Sequence, residues 1–220
     1  MTSLPRRFLG ALERFNSAHP WDHNAHYHRW IMRQLPRRYG LALDVGSGSG
    51  ELARLLATRG AVRGIDSDPV ITARARELTP AASPVTFTVA DGLNGIPAGR
   101  YDVITCVATL HHLPLADALV VFRRHLAPGG TLIVVGLSRA QSAGDHLLGA
   151  VAVPLNAAMG WLKNGGRRAA RPDAMTARTR PAETAFSEIA REARVALPGA
   201  RLRRRLFWRY TLVWRRPDDG

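Results

Sequence analysis

Between residues 41 and 136 the chain switches repeatedly between short apolar runs and helical spacing. Leu41-Ala42-Leu43-Asp44-Val45 is the first run, and it stops in Gly46-Ser47-Gly48-Ser49-Gly50. Leu52, Leu55 and Leu56 then share a helical face, with Gly60 placed as a C-terminal stop. Ala61 to Ile65 is a second run, ending in Asp66. Asp68 followed by Pro69 predicts an N-cap and a first helical residue, because Asp accepts from free N–H groups and Pro has none to leave unpaired. Ile71, Ala75 and Leu78 continue that helix. Val85, Phe87 and Val89 alternate with Thr86 and Thr88 as a strand does, up to Asp91. Tyr101 to Val107 is a buried strand. Leu115, Leu119, Phe122 and Leu126 give the next helix, Pro128-Gly129-Gly130 breaks it, and Thr131 to Val135 is a fifth strand. Strands alternating with helices predict a parallel sheet covered on both faces, and the nearly continuous apolar strands fit that double burial.

The flanks follow other rules. Residues 1–38 read as helical and polar, with many aromatics and histidines. After Gly136 the rhythm stops. Residues 139–180 are an apolar segment followed by a loose basic one, Lys163 to Arg180. Phe186, Ile189, Ala190, Ala193 and Leu197 then form an amphipathic helix that Pro198-Gly199 ends. Residues 201–216 alternate through Leu202, Leu206, Trp208, Tyr210, Leu212 and Trp214 as paired strands would, but no turn signal marks their junction. There is no internal repeat. A single domain over 1–220 is expected: a helical lid at 1–38, a core at 41–136, an insertion or cap at 139–180, and a final helix and strands at 181–216.

Composition changes this picture little, and charge more. Hydrophobic residues make up 46% of the 220 and charged residues 22%, a balance that argues against wholesale disorder. The single cysteine, Cys106, excludes an intramolecular disulfide framework and an all-cysteine metal site; within its strand it reads as a small buried residue. Lys and Arg number 31 against 17 Asp and Glu, a formal net charge of +14, and Lys163 is the only lysine. Such charge attracts phosphate, but the arginines are spread along the chain with an excess in the last third, and no aromatic RNA-binding signature accompanies them. An arginine-rich coding bias accounts for it as well. Residues 1–16 lack the apolar run of a signal peptide. The longest uncharged apolar stretch, Leu147 to Leu162, is short for a bilayer and carries Pro154 and Asn156. A cytoplasmic location is therefore expected.

The chemistry gathers at the ends of the first strands. A strand running into glycines at a helix start lets backbone approach a ligand and offers free N–H groups. A dinucleotide loop would need glycine in the third position of G-x-G-x-x-G, and Glu51 stands there, where it would face a pyrophosphate unfavourably. This disfavours an NAD-dependent oxidoreductase. The arrangement is instead Asp44-x-Gly46-x-Gly48-x-Gly50, an acid before the loop. A carboxylate there suits a cofactor carrying an amino-acid ammonium, as S-adenosylmethionine does. Asp66 stands where an acid accepts from ribose hydroxyls, and Asp91, before Gly92, where one can accept from the adenine amine. Asp68 is a cap rather than a ligand.

With these residues in place the chain resembles the class I S-adenosylmethionine-dependent methyltransferases, and within them the small type 11 group. The resemblance rests on Leu43 to Gly50, Gly64-Ile65-Asp66, Ala90-Asp91-Gly92, Tyr101 to Ile104, Leu110-His111-His112-Leu113 and Leu126 to Leu132. It runs from about 41 to 136, and Phe207 to Trp214 is similar to the last strand of some bacterial members. It implies a Rossmann-like, doubly wound α/β sheet of seven strands, mostly parallel with the last antiparallel. It also implies that Asp44, Gly46, Gly48, Asp66 and Asp91 contact the cofactor. Ser47, where many members have Cys, with Ser67, Gly92 and Val107, completes the expected contact set.

Methyl transfer needs a nucleophile lined up behind an already activated methyl group, and a general base where that nucleophile is a hydroxyl. His111 and His112, after the fourth strand, are the candidate bases; packing of the strand–helix turn is the alternative. The stretch Trp21 to Trp30 suggests a lid helix, with Tyr27 or Trp30 beside the methionine end, where an aromatic face would favour the sulfonium. His19–His23 and His23–His26 have spacings that share a helix face, but no carboxylate–histidine zinc motif is present, and no metal is expected. The leading expectation is methyl transfer to a small-molecule acceptor. An RNA or protein methyltransferase using the basic last third, and a non-catalytic cofactor-binding module, are the alternatives.

Overall fold

A computed structural model describes residues 3–172, 175 and 180–218. The core follows the sequence pattern closely. β1 (Leu41–Val45), β2 (Ala61–Asp66), β3 (Val85–Val89), β4 (Tyr101–Val107) and β5 (Leu126–Leu137) are parallel, and β5 pairs antiparallel with β7 (Arg209–Arg215), which pairs antiparallel with β6 (Arg201–Arg205). The strand order is β3-β2-β1-β4-β5-β7-β6. The seven strands and the reversed last strand match the expected architecture.

Alternation along the strands feeds two cores. Leu43, Ile104, Leu132, Val134, Tyr210 and Leu212 face α5 (Leu115–His125) and α7 (Phe186–Ala196). Ala42, Val103, Ile133 and Val135 face α2 (His23–Gln34), α3 (Glu51–Leu56) and α4 (Pro69–Glu77). Burial on both sides explains why these strands lack a polar face. Asp68 does cap α4, accepting from Val70 N–H at 2.8 Å, with Pro69 at the first helical position. Pro128-Gly129-Gly130 does not end a strand's predecessor outright: it lies within β5, as an irregular lead-in between the Tyr101–Leu126 pair and the regular register from Val103–Thr131 onward.

Beyond β5 the chain makes an excursion and returns to its starting point. Arg139 pairs with Ala185, and Arg139 N–H donates to the Thr184 carbonyl at 2.9 Å. The apolar part of this excursion is a 21-residue helix, α6 (Ala143–Lys163), started by a capping box between Ser142 and Asp145. It packs on α1 (Ser3–Ala18) and buries Trp21, Ala152 and Phe207 together. The β6–β7 hairpin turns through Leu206-Phe207-Trp208, and both Phe207 and Trp208 sit at φ 58°. Side chains with a Cβ rarely adopt that conformation, so a turn there leaves no composition signal. The ring of Phe207, edge-on to Trp21 with centroids 4.8 Å apart, anchors it from the side.

Candidate active site

The parallel register creates the centre of the site. Asp44 lies opposite Thr105 across β1 and β4, on the face covered by α2 and α3. The Thr105 hydroxyl donates to Asp44 Oδ1 at 2.7 Å. Asp44 is buried, and burial pushes its carboxyl up to about 6, against the pull of the Thr105 bond. A buried carboxylate whose partner is one hydroxyl is short of a cation.

The glycine loop is tied to β2. Gly46 and Ser47 N–H both donate to the Ile65 carbonyl, at 2.8 and 3.0 Å, and Gly48 N–H donates to Asp66 Oδ2 at 2.9 Å. Those amides therefore hold the loop's shape rather than standing free. Gly46 has φ 71°, and a Cβ there would fall on the Thr109 side chain. Gly48, at φ 52°, is different: a Cβ there would meet no atom within 4 Å, so it borders open space. Asp66 also accepts from Asp68 N–H through Oδ1 at 3.0 Å, and each oxygen retains a lone pair for a further donor. Ser67 beside it is exposed.

The third strand end is placed against the first. A Cβ on Gly92 would meet Val45 Cγ1 at 3.1 Å and Leu113 Cδ1 at 3.2 Å, so close packing requires glycine. Asp91 is exposed; its Oδ1 accepts from Leu93 and Asn94 N–H at 2.9 and 3.0 Å, and those backbone bonds hold its carboxyl below the usual range. After Val107, Ala108 takes φ 52° and donates its N–H to the Val135 carbonyl at 2.7 Å. This turn starts the short helix Leu110–His112. His111 and His112 lie ring to ring, centroids 4.0 Å apart. Burial, reinforced by the His112 charge, lowers His111 to about 4, so its imidazole is neutral at neutral pH.

Helix α2 lies over the loop. Asp22 caps it, accepting from Asn24 N–H at 2.7 Å. His28 on its buried face has Nδ1 3.7 Å from Glu51 Oε1, too long for a hydrogen bond. Tyr27 is buried in the same face, and its hydroxyl donates to the Leu206 carbonyl at 2.7 Å, fastening α2 to the hairpin. The other three histidines of this segment are engaged separately: His23 Nε2 meets Asn156 Oδ1 at 2.6 Å, His19 Nδ1 meets the Phe15 carbonyl at 3.0 Å, and the His26 ring packs edge-on against Trp21, Tyr27 and Phe207. Among the described residues no group of three histidines, cysteines or acids converges as a metal site would require.

Among the described residues three buried side-chain polar atoms have no hydrogen-bond partner: Ser47 Oγ, His28 Nδ1 and His111 Nδ1. They belong to the loop after β1, the helix above it and the turn after β4. Such atoms are costly unless something else meets them. Sequence reasoning named Ser47 and His111 but did not single out His28 or Thr105. The signal for Thr105 was a polar residue within the otherwise apolar run 103–107, opposite Asp44.

Comparison with known proteins gives this geometry a context. Residues 43–134 match the family model described as a methyltransferase domain. The chain is 30% identical over 204 residues to an uncharacterized methyltransferase of Mycobacterium bovis, covering 90% of this chain and 98% of that protein. It is 36% identical over 106 residues to trans-aconitate 2-methyltransferase of Streptomyces avermitilis, covering 45% and 39%. Its fold matches the magnesium protoporphyrin IX methyltransferase of Synechocystis with bound SAH, with TM-score 0.55, 18% identity, and 94% and 84% of the two chains covered. The glycine loop between two strand-end acids, the strand order with its reversed β7, and these relatives agree: the chain belongs to the class I S-adenosylmethionine-dependent methyltransferases.

Proposed function

We propose that this enzyme binds S-adenosylmethionine across the carboxyl ends of β1, β2 and β3 and methylates a small-molecule acceptor. The observation that carries the reading is Asp44, a buried carboxylate paired only with a hydroxyl, beside a glycine loop bordering open space. The residues present fit the cofactor. Asp44 would take its ammonium and Ser47 Oγ its amino-acid end, with Gly46 and Gly48 allowing close approach. Asp66 and Ser67 would take the ribose, Asp91 and Gly92 the adenine, while Val107 and Tyr27 flank the site. When bound, the cofactor supplies an activated methyl group. What the chain adds is placement and, where the acceptor atom carries a proton, a neutral imidazole with a free Nδ1 at His111. His112 lies against that ring, tilted by 39°. A small acceptor is supported by the partial likeness to a trans-aconitate methyltransferase.

Labelled methyl transfer from S-adenosylmethionine into pools of small organic acids, phenols and RNA tests the acceptor class. Label confined to the RNA pool overturns the small-molecule reading. A rise in Tm with S-adenosylmethionine but not NAD tests the cofactor separately. Activity kept in both His111→Ala and His112→Ala would remove the base assignment while leaving the cofactor site intact.

A further inference from the structure

Helix α6 is built inside out. The face it turns to the protein carries Ala152, Asn156 and Gly160, which are buried. Asn156 is the polar hub of that face: its Oδ1 accepts from Trp21 Nε1 at 3.0 Å and meets His23 Nε2 at 2.6 Å. Gly160 is small because a Cβ would strike the His19 carbonyl. The large apolar residues point the other way. Leu147 is 68% exposed, Leu162 62% and Trp161 49%, and Val151 and Leu155 are also exposed. Leu147, Val151, Leu155, Ala158 and Leu162 recur at spacings of three and four and form one stripe, about 22 Å long at a rise of 1.5 Å per residue. No charged side chain lies between Asp145 and Lys163. A contiguous exposed apolar face of this kind marks an interaction surface.

Its surroundings say what it meets. At the C-terminal end of the stripe the chain turns through Gly165 and Gly166, both at positive φ, into the exposed bases Arg167, Arg168 and Arg171. The Ala169 N–H donates to the Ala18 carbonyl at 3.1 Å, which holds this basic segment beside the helix. Trp161 stands beside the stripe near its C-terminal end, 49% exposed. An apolar helix face with basic residues at its border and a tryptophan near one end has the chemistry of a surface that lies in the headgroup region of an anionic bilayer. A second copy of this chain is a poorer occupant, because each copy carries a formal charge of +14. No helix among the described residues is long and apolar enough to cross a membrane, so α6 would lie on the surface.

We propose that the exposed face of α6, with Lys163, Arg167, Arg168 and Arg171, docks the enzyme on anionic lipid surfaces. The test is flotation of the full chain with vesicles of phosphatidylglycerol and phosphatidylcholine, and with vesicles of phosphatidylcholine alone. Binding is expected to the first, to weaken about tenfold or more between low and high salt, and to be far weaker to the second. Leu147→Glu with Leu162→Glu should abolish flotation at unchanged Tm, and Arg167→Glu with Arg168→Glu should weaken it about tenfold or more. Trp161 fluorescence, read as the difference from Trp161→Phe, should shift to shorter wavelength with vesicles. Three results overturn the proposal: no flotation at low salt, flotation untouched by the leucine variants, or a dimer in sedimentation that Leu147→Glu disrupts without any vesicle binding. Cofactor-induced Tm shifts in the same variants should be unchanged.

Discussion

The carboxyl end of β1 and the helix α6 treat polarity in opposite ways. At the end of β1 the apolar residues are buried, and so are two polar ones: Asp44, met by one hydroxyl, and Ser47, whose Oγ has no hydrogen-bond partner among the described residues. On α6 the polar residue Asn156 is buried to bind other parts of the same chain, and the leucines lie outside. Asp44 keeps acceptor capacity beyond its one hydroxyl partner, whereas the Asn156 side-chain oxygen is met twice from within the chain. The same residue types thus carry different meanings according to whether their bonds close within the chain.

The sharpest way to break this contrast is at Gly46. Alanine there would strain a backbone at φ 71° and drive a Cβ into Thr109. A loss of about 3–5 kcal/mol is expected from the left-handed conformation and overpacking together, read by denaturant unfolding, with cofactor binding lost as well. A well-folded, cofactor-binding Gly46→Ala would show that Thr109 yields to a Cβ at this position.

Asp44→Asn should act in the other direction on stability. A carboxyl raised from 3.8 to about 6 in the folded state binds its proton more tightly there than when unfolded. Stability therefore falls as pH rises from about 4 to 6, and the ionised group costs at most about 3 kcal/mol above that window. Asparagine keeps an acceptor for Thr105 without the charge. The variant should be more stable than the parent at pH 7, should lose that advantage near pH 4, and should show no Tm shift with S-adenosylmethionine. Lower stability at pH 7 would mean that Asp44 serves architecture as Asn156 does.

Asn156→Leu probes the other half of the comparison. It leaves Trp21 Nε1 with only the more distant Asn156 carbonyl, at 3.2 Å, and removes the partner of His23 Nε2. A loss of about 1–3 kcal/mol is expected, with cofactor affinity unchanged. Affinity falling with stability would join the two regions into one unit.

How legible these regions are in sequence follows from the same contrast. From Leu41 to Val135 the central strands β1, β4 and β5 are buried on both faces and the edge strand β3 alternates, so runs and breaks coincide with elements, and polar residues mark strand ends. The cap at Asp68, the order of strands and helices, and the positions of Asp44 and Asp66 are all readable for that reason. Thr105 was not, because its meaning depends on register with a strand some sixty residues away. Nor was His28, hidden among histidines that bond elsewhere. Helix α6 escaped because small residues face in and large ones face out, which flattens the helical signal. The hairpin escaped because its turn uses Phe207 and Trp208 where a turn ordinarily signals itself by glycine or asparagine.

That hairpin gives the smallest effect. Trp208 is exposed at φ 58°, a conformation that asparagine adopts more readily than tryptophan. Relief of that strain is opposed by loss of the ring's packing against Gly149 and its edge contact with His23, centroids 6.0 Å apart. Strain relief is the larger of the two for so exposed a ring. Trp208→Asn should therefore gain about 0.5 kcal/mol, a rise of roughly 1–2 °C in Tm for a chain of this size. Phe207 has the same φ but is buried against Trp21, so Phe207→Asn should lose stability instead. A loss in both variants would show that the turn is held by packing on either side of the chain.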